Sequence, residues 1–333
     1  LMGDVESVSA NGTGKAWEAT FKRDNLGLEL ERSLPGGVRS RWERDKLGRP
    51  VKQEMFGGGN KPARSRSYTW DVNDRLKQIV DDQKGIVKFE HDAFGNLASA
   101  QYGDGSFEFR MPDAVGNLFR TKDQKDRKYG PAGQLLEANG TRYDYDAEGN
   151  LIQKTEPDGS VWRYEWNAAG MLRRVVRPDG DTVTFTYDAL GRRISKQYRG
   201  KTTRWVWDGN NILHEWAEVA LPNPKEEPRP AMTAQIGGAI KIKRRDELVA
   251  AMPSNAPPLA EYEQRTTNNE QFGNITTWVF EPESFAPLAK LSYGAQYSIV
   301  TDHLGTPVSM FSERGEKVWD MDLSIYGEVR NLQ

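Results

Sequence analysis

Tyr143-Asp-Tyr-Asp-Ala-Glu-Gly-Asn-Leu151, Tyr164-Glu-Trp-Asn-Ala-Ala-Gly-Met-Leu172 and Phe185-Thr-Tyr-Asp-Ala-Leu-Gly-Arg-Arg193 are one phrase written three times. Two aromatics flank one residue (Tyr143 and Tyr145, Tyr164 and Trp166, Phe185 and Tyr187). Asp146, Asn167 or Asp188 follows at once, and Gly149, Gly170 or Gly191 comes three positions later. Successive copies lie 21 residues apart, a period that signals a repeat architecture and decides the fold.

Working outward, the Asp slot recurs at Asp24, Asp45, Asp71, Asp92 (with Gly95), Asp113, a degenerate Gly130, and finally Asp208. A second turn signal recurs about twelve residues after the slot, at Pro35-Gly36-Gly37, Gly103-Asp104-Gly105, Pro157-Asp158-Gly159 and Pro178-Asp179-Gly180. Each unit therefore reads as strand, turn, strand, turn. Asp accepts hydrogen bonds from backbone N–H groups two residues on, and Gly supplies positive φ without steric cost. Between the turns the pattern has period two. Trp162, Tyr164 and Trp166 share one face, Arg163 and Glu165 the other, which argues strand rather than helix.

About ten such hairpins make some twenty strands, too many for a flat open sheet. The expected fold is all-β: antiparallel hairpins curled into a wall, a spiral shell or an incomplete barrel. Residues 1–217 form the array. Residues 218–275 break the rhythm with two proline clusters and a polar run, and read as an insertion looping off the sheet, with a short helix over Lys241–Met252. A docked plug or partner-binding segment is the alternative for that stretch. Strand character resumes over 276–333.

Composition narrows the chemistry. The 333 residues carry 46 basic and 48 acidic side chains, a formal net charge of -2, so no basic field exists to hold nucleic acid. The absence of cysteine removes disulfides and thiolate sites. No apolar run approaches the ~18 residues of a membrane span, and the first residues lack the basic and apolar regions of a signal peptide. The Asp column does not match calcium-binding repeats, which need Gly-Gly-x-Gly-x-Asp turns at a much shorter period, so turn capping is the expected role. Stacking of bases or sugars on the aromatics is weaker than cross-strand packing. His214-Glu215 lacks a zincin's second His, His91 sits where a half-buried strand residue belongs, and Asp302-His303 precedes another turn. No catalytic, cofactor or metal site is expected.

The unit Tyr-x-Tyr-Asp-x-x-Gly-Asn/Arg-Leu resembles the YD repeat of Rhs proteins. The tail resembles the end of a bacterial Rhs core, in Trp278–Leu288, in Tyr297-Ser-Ile-Val-Thr-Asp-His-Leu-Gly-Thr-Pro307 and in Ile325-Tyr-Gly-Glu-Val329. The resemblance covers nearly the whole chain except 218–275. It implies a β-cocoon enclosing a C-terminal toxic domain, used in interbacterial competition. The implied partners are the remaining shell, that toxin domain, and a spike or adaptor of a secretion apparatus such as the type VI system. An exported effector made in the bacterial cytoplasm is the implied localisation. The family's Asp-Pro-x-Gly-Leu self-cleavage motif does not occur in 1–333, so no autoproteolysis and no toxicity are expected of this stretch. The edge over Val318–Tyr326 is expected to seek another strand. A carbohydrate-binding or cell-surface adhesion module is the alternative reading.

Overall fold

The computed structural model describes residues 5–12, 15–219, 275–292 and 294–332. Of the insertion expected over 218–275, residues 220–274 with the expected helix lie outside the described residues, whereas Glu218 and Val219 end a strand, paired with Thr202 and Lys201. Among those described there are twenty-eight strands, β1 to β28 in chain order, three short 3-10 turns and no α-helix. A ten-stranded sheet runs from β1 (Ser7–Gly12) to β10 (Phe107–Phe109). A two-stranded ribbon follows, β11 (Met111–Pro112) and β12 (Leu118–Phe119). A sixteen-stranded sheet then runs from β13 (Arg127–Tyr129) to β28 (Val329–Leu332). Within each, every strand pairs antiparallel with its neighbours in sequence. The break between the sheets falls where the spacing of Asp slots shrinks from 21 to 17 and 16 residues, too few for two full strands and their turns.

The two faces of this wall differ as the period-two pattern requires. In β2 (Lys15–Arg23) Trp17, Ala19 and Phe21 are buried while Glu18, Thr20 and Lys22 are exposed. In β4 (Val38–Arg44) Val38, Ser40 and Trp42 are buried while Arg41 and Glu43 are exposed. Cross-strand partners carry the aromatic face onward, through Ser40–Met55, Met55–Arg64 and Arg66–Asp81.

The aromatic face of the first sheet packs on the opposite face of the last strands. The core joins Trp17, Phe21, Val38 and Met55 to Ala289, Leu291, Val300 and Phe311. In β25 (Ala295–Thr301), Ile299 and Thr301 hold the two slots that aromatics fill elsewhere, and Val300 points the other way. Ser298, Val300, Ser309 and Asp320 share that other face through their pairings. A sheet folded back on itself would set like face on like face. Here inner face meets outer face, the relation found between overlapping layers of a scroll. The ends match too: the Asp302 turn lies beside Tyr68 and Trp70, whereas the turn at Gly315 meets those at Gly36 and Gly58. The chain is thus an all-β spiral wall that overlaps itself.

One expectation is corrected. The strand beginning at Lys317 is not an edge: β27 (Lys317–Leu323) pairs with β26 (Pro307–Ser312) on one side and with β28 on the other. Ser324 and Gly327 close one more turn of the same kind after it, with Ser324 in place of Asp.

Candidate functional site

The repeating device is a turn and the side chain that precedes it. At Asp92 the backbone N–H bonds the Asn96 carbonyl (2.9 Å), and the Gly95 N–H returns to the Asp92 carbonyl (3.0 Å). Asp146 with Gly149, Asn167 with Gly170, and Asp188 with Gly191 repeat that geometry. Gly149 has φ +86°, the left-handed region where a β-branched residue is strained. The carboxylate adds more. Asp92 Oδ1 accepts from the N–H groups of Phe94 and Asn96 (2.9 Å each), and Oδ2 accepts from the Asn96 side-chain amide (3.0 Å). The residue after Gly is Asn or Arg in most copies because it bonds the carboxylate, as Asn150 does at Asp146 and Arg192 at Asp188. These bonds hold the carboxyls of Asp92 and Asp71 below the usual range. The Asn96 side-chain amide contributes most at Asp92, and the Arg75 N–H at Asp71. At Asn167 the side-chain oxygen accepts the same two backbone bonds without a charge.

The aromatic just before the Asp slot is a latch between repeats. Tyr145 donates its hydroxyl to the Leu135 carbonyl (2.9 Å), Trp166 its indole N–H to Leu151 (2.8 Å), and Tyr187 its hydroxyl to Leu172 (2.8 Å). Trp70, Tyr129 and Trp207 do the same to Pro50, Leu118 and Arg193, and Arg44 does it to Glu29. Each acceptor lies five residues past the preceding slot. A β-bulge directly before Tyr145, Trp166 and Tyr187 aims these side chains along the wall. The expectation of an aromatic ladder did not include this bond, although a signal was present. From Arg23 to Trp207 the position before the slot never holds Phe, whereas the partner position two residues earlier holds Phe21, Phe89 and Phe185.

Tyr143, Tyr145, Tyr164, Trp166, Phe185 and Tyr187 are only half-buried, unlike Trp17 and Phe21 of the first sheet. No second layer covers this part of the wall among the described residues. Basic side chains lie over the rings instead: Arg177 is 5.3 Å from the Trp162 ring centre and Arg193 is 4.3 Å from that of Phe185.

The overlap of the layers is held by buried charge. Arg64, with no exposed side-chain surface, bonds Asp81 (2.8 Å) in its own layer and Asp322 (2.5 Å) in the facing one. Arg66 makes the same two contacts (2.7 and 2.5 Å), and Lys84 reaches Asp320 (3.1 Å). Burial alone raises the Asp81 carboxyl, but Arg64 and Arg66 outweigh it and hold the group below its usual range. Gln53 donates to the Thr301 carbonyl (2.9 Å) and Trp17 to the Ser298 hydroxyl (3.2 Å). His303 stands edge-on to Tyr68, with ring centres 4.8 Å apart. Its Nδ1 has no partner, and burial pushes its pKa below the ordinary value. Beside it a cavity of about 620 Å³ opens between the layers, lined by Ile79, Val87, Tyr102, His303 and Met321. His91, at a strand end, lines the same cavity as His303, whereas His214 stands in a strand against Thr277; no metal-binding group occurs among the described residues.

Repeating YD turns, latched aromatics and a wall that overlaps itself agree with the comparisons. The family model described as teneurin YD-shell matches residues 38–208, more than half of the chain, and the model described as RHS protein matches residues 297–333. This chain belongs to the Rhs/teneurin YD-shell family. It is 33% identical over 223 residues to double-stranded DNA deaminase toxin A of Burkholderia cenocepacia, covering 61% of this chain and 16% of that protein. It is 27% identical to toxin protein Tse5 of Pseudomonas aeruginosa, covering 87% of this chain and 25% of that one. Human teneurin-4 is 21% identical over 95% of this chain and 9% of its own length. The chain thus spans a quarter or less of each of these relatives. A YD-shell segment related to toxins is what the sequence, fold and comparisons jointly establish. The match to the RHS model falls on β25–β28, the strands that the first sheet covers.

Proposed function

We propose that this YD-shell segment is a non-catalytic wall that encloses a toxic C-terminal domain and keeps it apart from the producing cell until export. The observation that carries the reading is the overlap of inner face on outer face, because a scrolled wall can define an inside. Backbone groups are satisfied within the sheet, so the wall needs no cargo in order to fold. The polar face stays solvated while the half-buried aromatic face of β15 (Thr141–Tyr145) to β22 (Asn211–Val219) is left for contents. The turn and repeat residues Asp92, Gly95, Asp146, Gly149, Asn167, Gly170, Asp188 and Gly191 are structural in this reading, with no catalytic role. Its partners are the rest of the shell and the toxin domain, and a secretion spike or adaptor carries the exported effector. Protease protection tests it. In the full-length parent protein the C-terminal domain resists digestion, and a substitution that parts the layers, Gly315→Asp, exposes it at unchanged expression. A domain digested equally fast with the wall intact contradicts enclosure.

The half-exposed stripe of Trp162, Tyr164 and Trp166 favours one second reading, a glycan-binding or adhesion surface. Saturable binding on a glycan array, lost in Trp162→Ala, supports it over containment.

A further inference from the structure

Among the described residues the hydrogen-bonded ladder of the wall is interrupted at one place, on the two flanks of the ribbon β11–β12, between Phe109 at the end of β10 and Arg127 at the start of β13. Side chains tie the ribbon to β13 instead. The Tyr129 hydroxyl donates to the Leu118 carbonyl (2.6 Å), and the Arg120 N–H donates to the Asp126 carboxylate (3.2 Å). The turn of residues 324–327 stands against this break. Tyr326 donates its hydroxyl to the Phe109 carbonyl, and its ring centre lies 3.9 Å from the Arg120 guanidinium and 5.7 Å from that of Arg110. Arg110 donates to the Ile325 carbonyl (3.3 Å), the Ile325 N–H donates to the Glu108 carboxylate (3.1 Å), and Arg120 pairs with Glu328 (2.7 Å). One turn thus holds both the end of β10 and the ribbon beyond it.

That grip differs from the seam behind it. Asp320 and Asp322 are held between the layers by Lys84, Arg64 and Arg66. The turn's own contacts are polar and wet. The side chains of Arg120 and Glu328 are 39% and 60% exposed, a class of ion pair worth at most about 1 kcal/mol. Arg330, just past the turn, reaches the exposed Asp104 (2.8 Å) in the same way. The cap is weaker too. Ser324 offers a neutral oxygen to the N–H groups of Tyr326 and Glu328 at 3.1 and 3.2 Å, where Asp92 accepts with a charge at 2.9 Å. No residue after Phe311 belongs to the buried apolar core. We propose that this turn is a shutter over the break, with Arg120 as its catch. It bends away beyond the Asp322–Asn331 pair while the layers behind stay joined, and the break is then a port through the wall. Few buried apolar contacts and exposed polar bonds mark a segment that opens by itself. The port rests on the enclosure reading; the shutter does not.

Native-state hydrogen exchange on the purified chain tests the shutter. The Ile325 amide exchanges through a local opening, at a rate that low denaturant leaves unchanged, while amides of β25 and β26 wait for global unfolding. Arg120→Gln speeds Ile325 at least tenfold and leaves β25 and the melting temperature as they were. Ile325 and β25 exchanging in step overturns the proposal, and so does an Arg120→Gln rate equal to that of the wild type. The port is read in a full-length parent whose single cysteine is Tyr164→Cys, on the aromatic face. N-ethylmaleimide labels that thiol at least tenfold faster when Arg120→Gln is added. Unchanged labelling in a variant whose Ile325 opens overturns the port and leaves enclosure standing. An intact wall labelled as fast as one carrying Gly315→Asp overturns the port together with enclosure, and the shutter then stands or falls on the exchange rates alone.

Discussion

Gly58 donates its backbone N–H to the carbonyl of Gly315 at 2.8 Å, joining a turn of the first sheet to one between the last strands. Three turns meet backbone to backbone here. A Cβ on Gly58 would lie 2.5 Å from the Arg314 carbonyl oxygen, and one on Gly315 would lie 2.5 Å from the Gly58 nitrogen. Gly315 also has φ +76°. Gly315→Ala therefore adds strain of about 1–3 kcal/mol to a clash that neither backbone can relieve alone. Its melting temperature should fall well below that of Gly105→Ala, which has positive φ but open space around it. Equal losses would show that the layers do not touch at this point.

The latch predicts a graded series. Tyr145→Phe removes one hydrogen bond and keeps the ring, costing about 1 kcal/mol. Asp146→Ala removes the turn acceptor at a similar cost, whereas Gly149→Val forces a β-branched residue to positive φ at about 1–3 kcal/mol. Denaturant midpoints should fall by similar amounts for Tyr145→Phe and Asp146→Ala and furthest for Gly149→Val. A neutral Tyr145→Phe would mean the hydroxyl does as well in water.

Breaking the buried charge network should be severe. Asp81→Ala leaves Arg64 and Arg66 with half their counter-charge inside the overlap, a loss of about 3–5 kcal/mol. Asp158→Ala, in an exposed turn, should cost far less by the same unfolding measurement.

Acid acts on the same groups with a fixed sign. Asp92, whose folded pKa is held down first by Asn96, contributes stability that is present above the unfolded value near 3.9. That contribution is lost as pH falls through the folded value. Asp81 behaves likewise. His303 acts at higher pH. Its folded pKa is lowered by burial, so the unfolded chain binds a proton first, and stability declines as pH falls below about 6.5. Melting temperatures from pH 7.5 to 5 should drop for the wild type and stay flatter for His303→Gln. Parallel curves would remove His303 from the account.

Much of the wall was legible in its residues, because each local signal repeats its own physics. Asp146 and Gly149 announce a turn, and Trp162, Tyr164 and Trp166 announce a strand with one aromatic face. The reason for Asn150 or Arg192 after the glycine was less visible, since its bond closes only once the turn exists. The overlap was not legible at all. Arg64, Arg66, Asp81 and Asp322 look like ordinary strand charges, and Gly57-Gly58-Gly59 reads as a loop until a second backbone is seen against it. Periodic sequence specifies neighbours in the sheet, but which distant strand arrives on which face depends on accumulated twist over many strands.

The overlap of inner face on outer face is the central claim, and a double-mutant cycle between Arg64 and Asp322 tests it most directly. Each residue is replaced singly and together, Arg64→Met and Asp322→Leu, and unfolding free energies are compared. Residues in contact within one charge network couple by about 0.5–3 kcal/mol, and the account predicts a value in the upper half of that range. Additive losses within about 0.3 kcal/mol would place the two side chains apart and contradict the scroll.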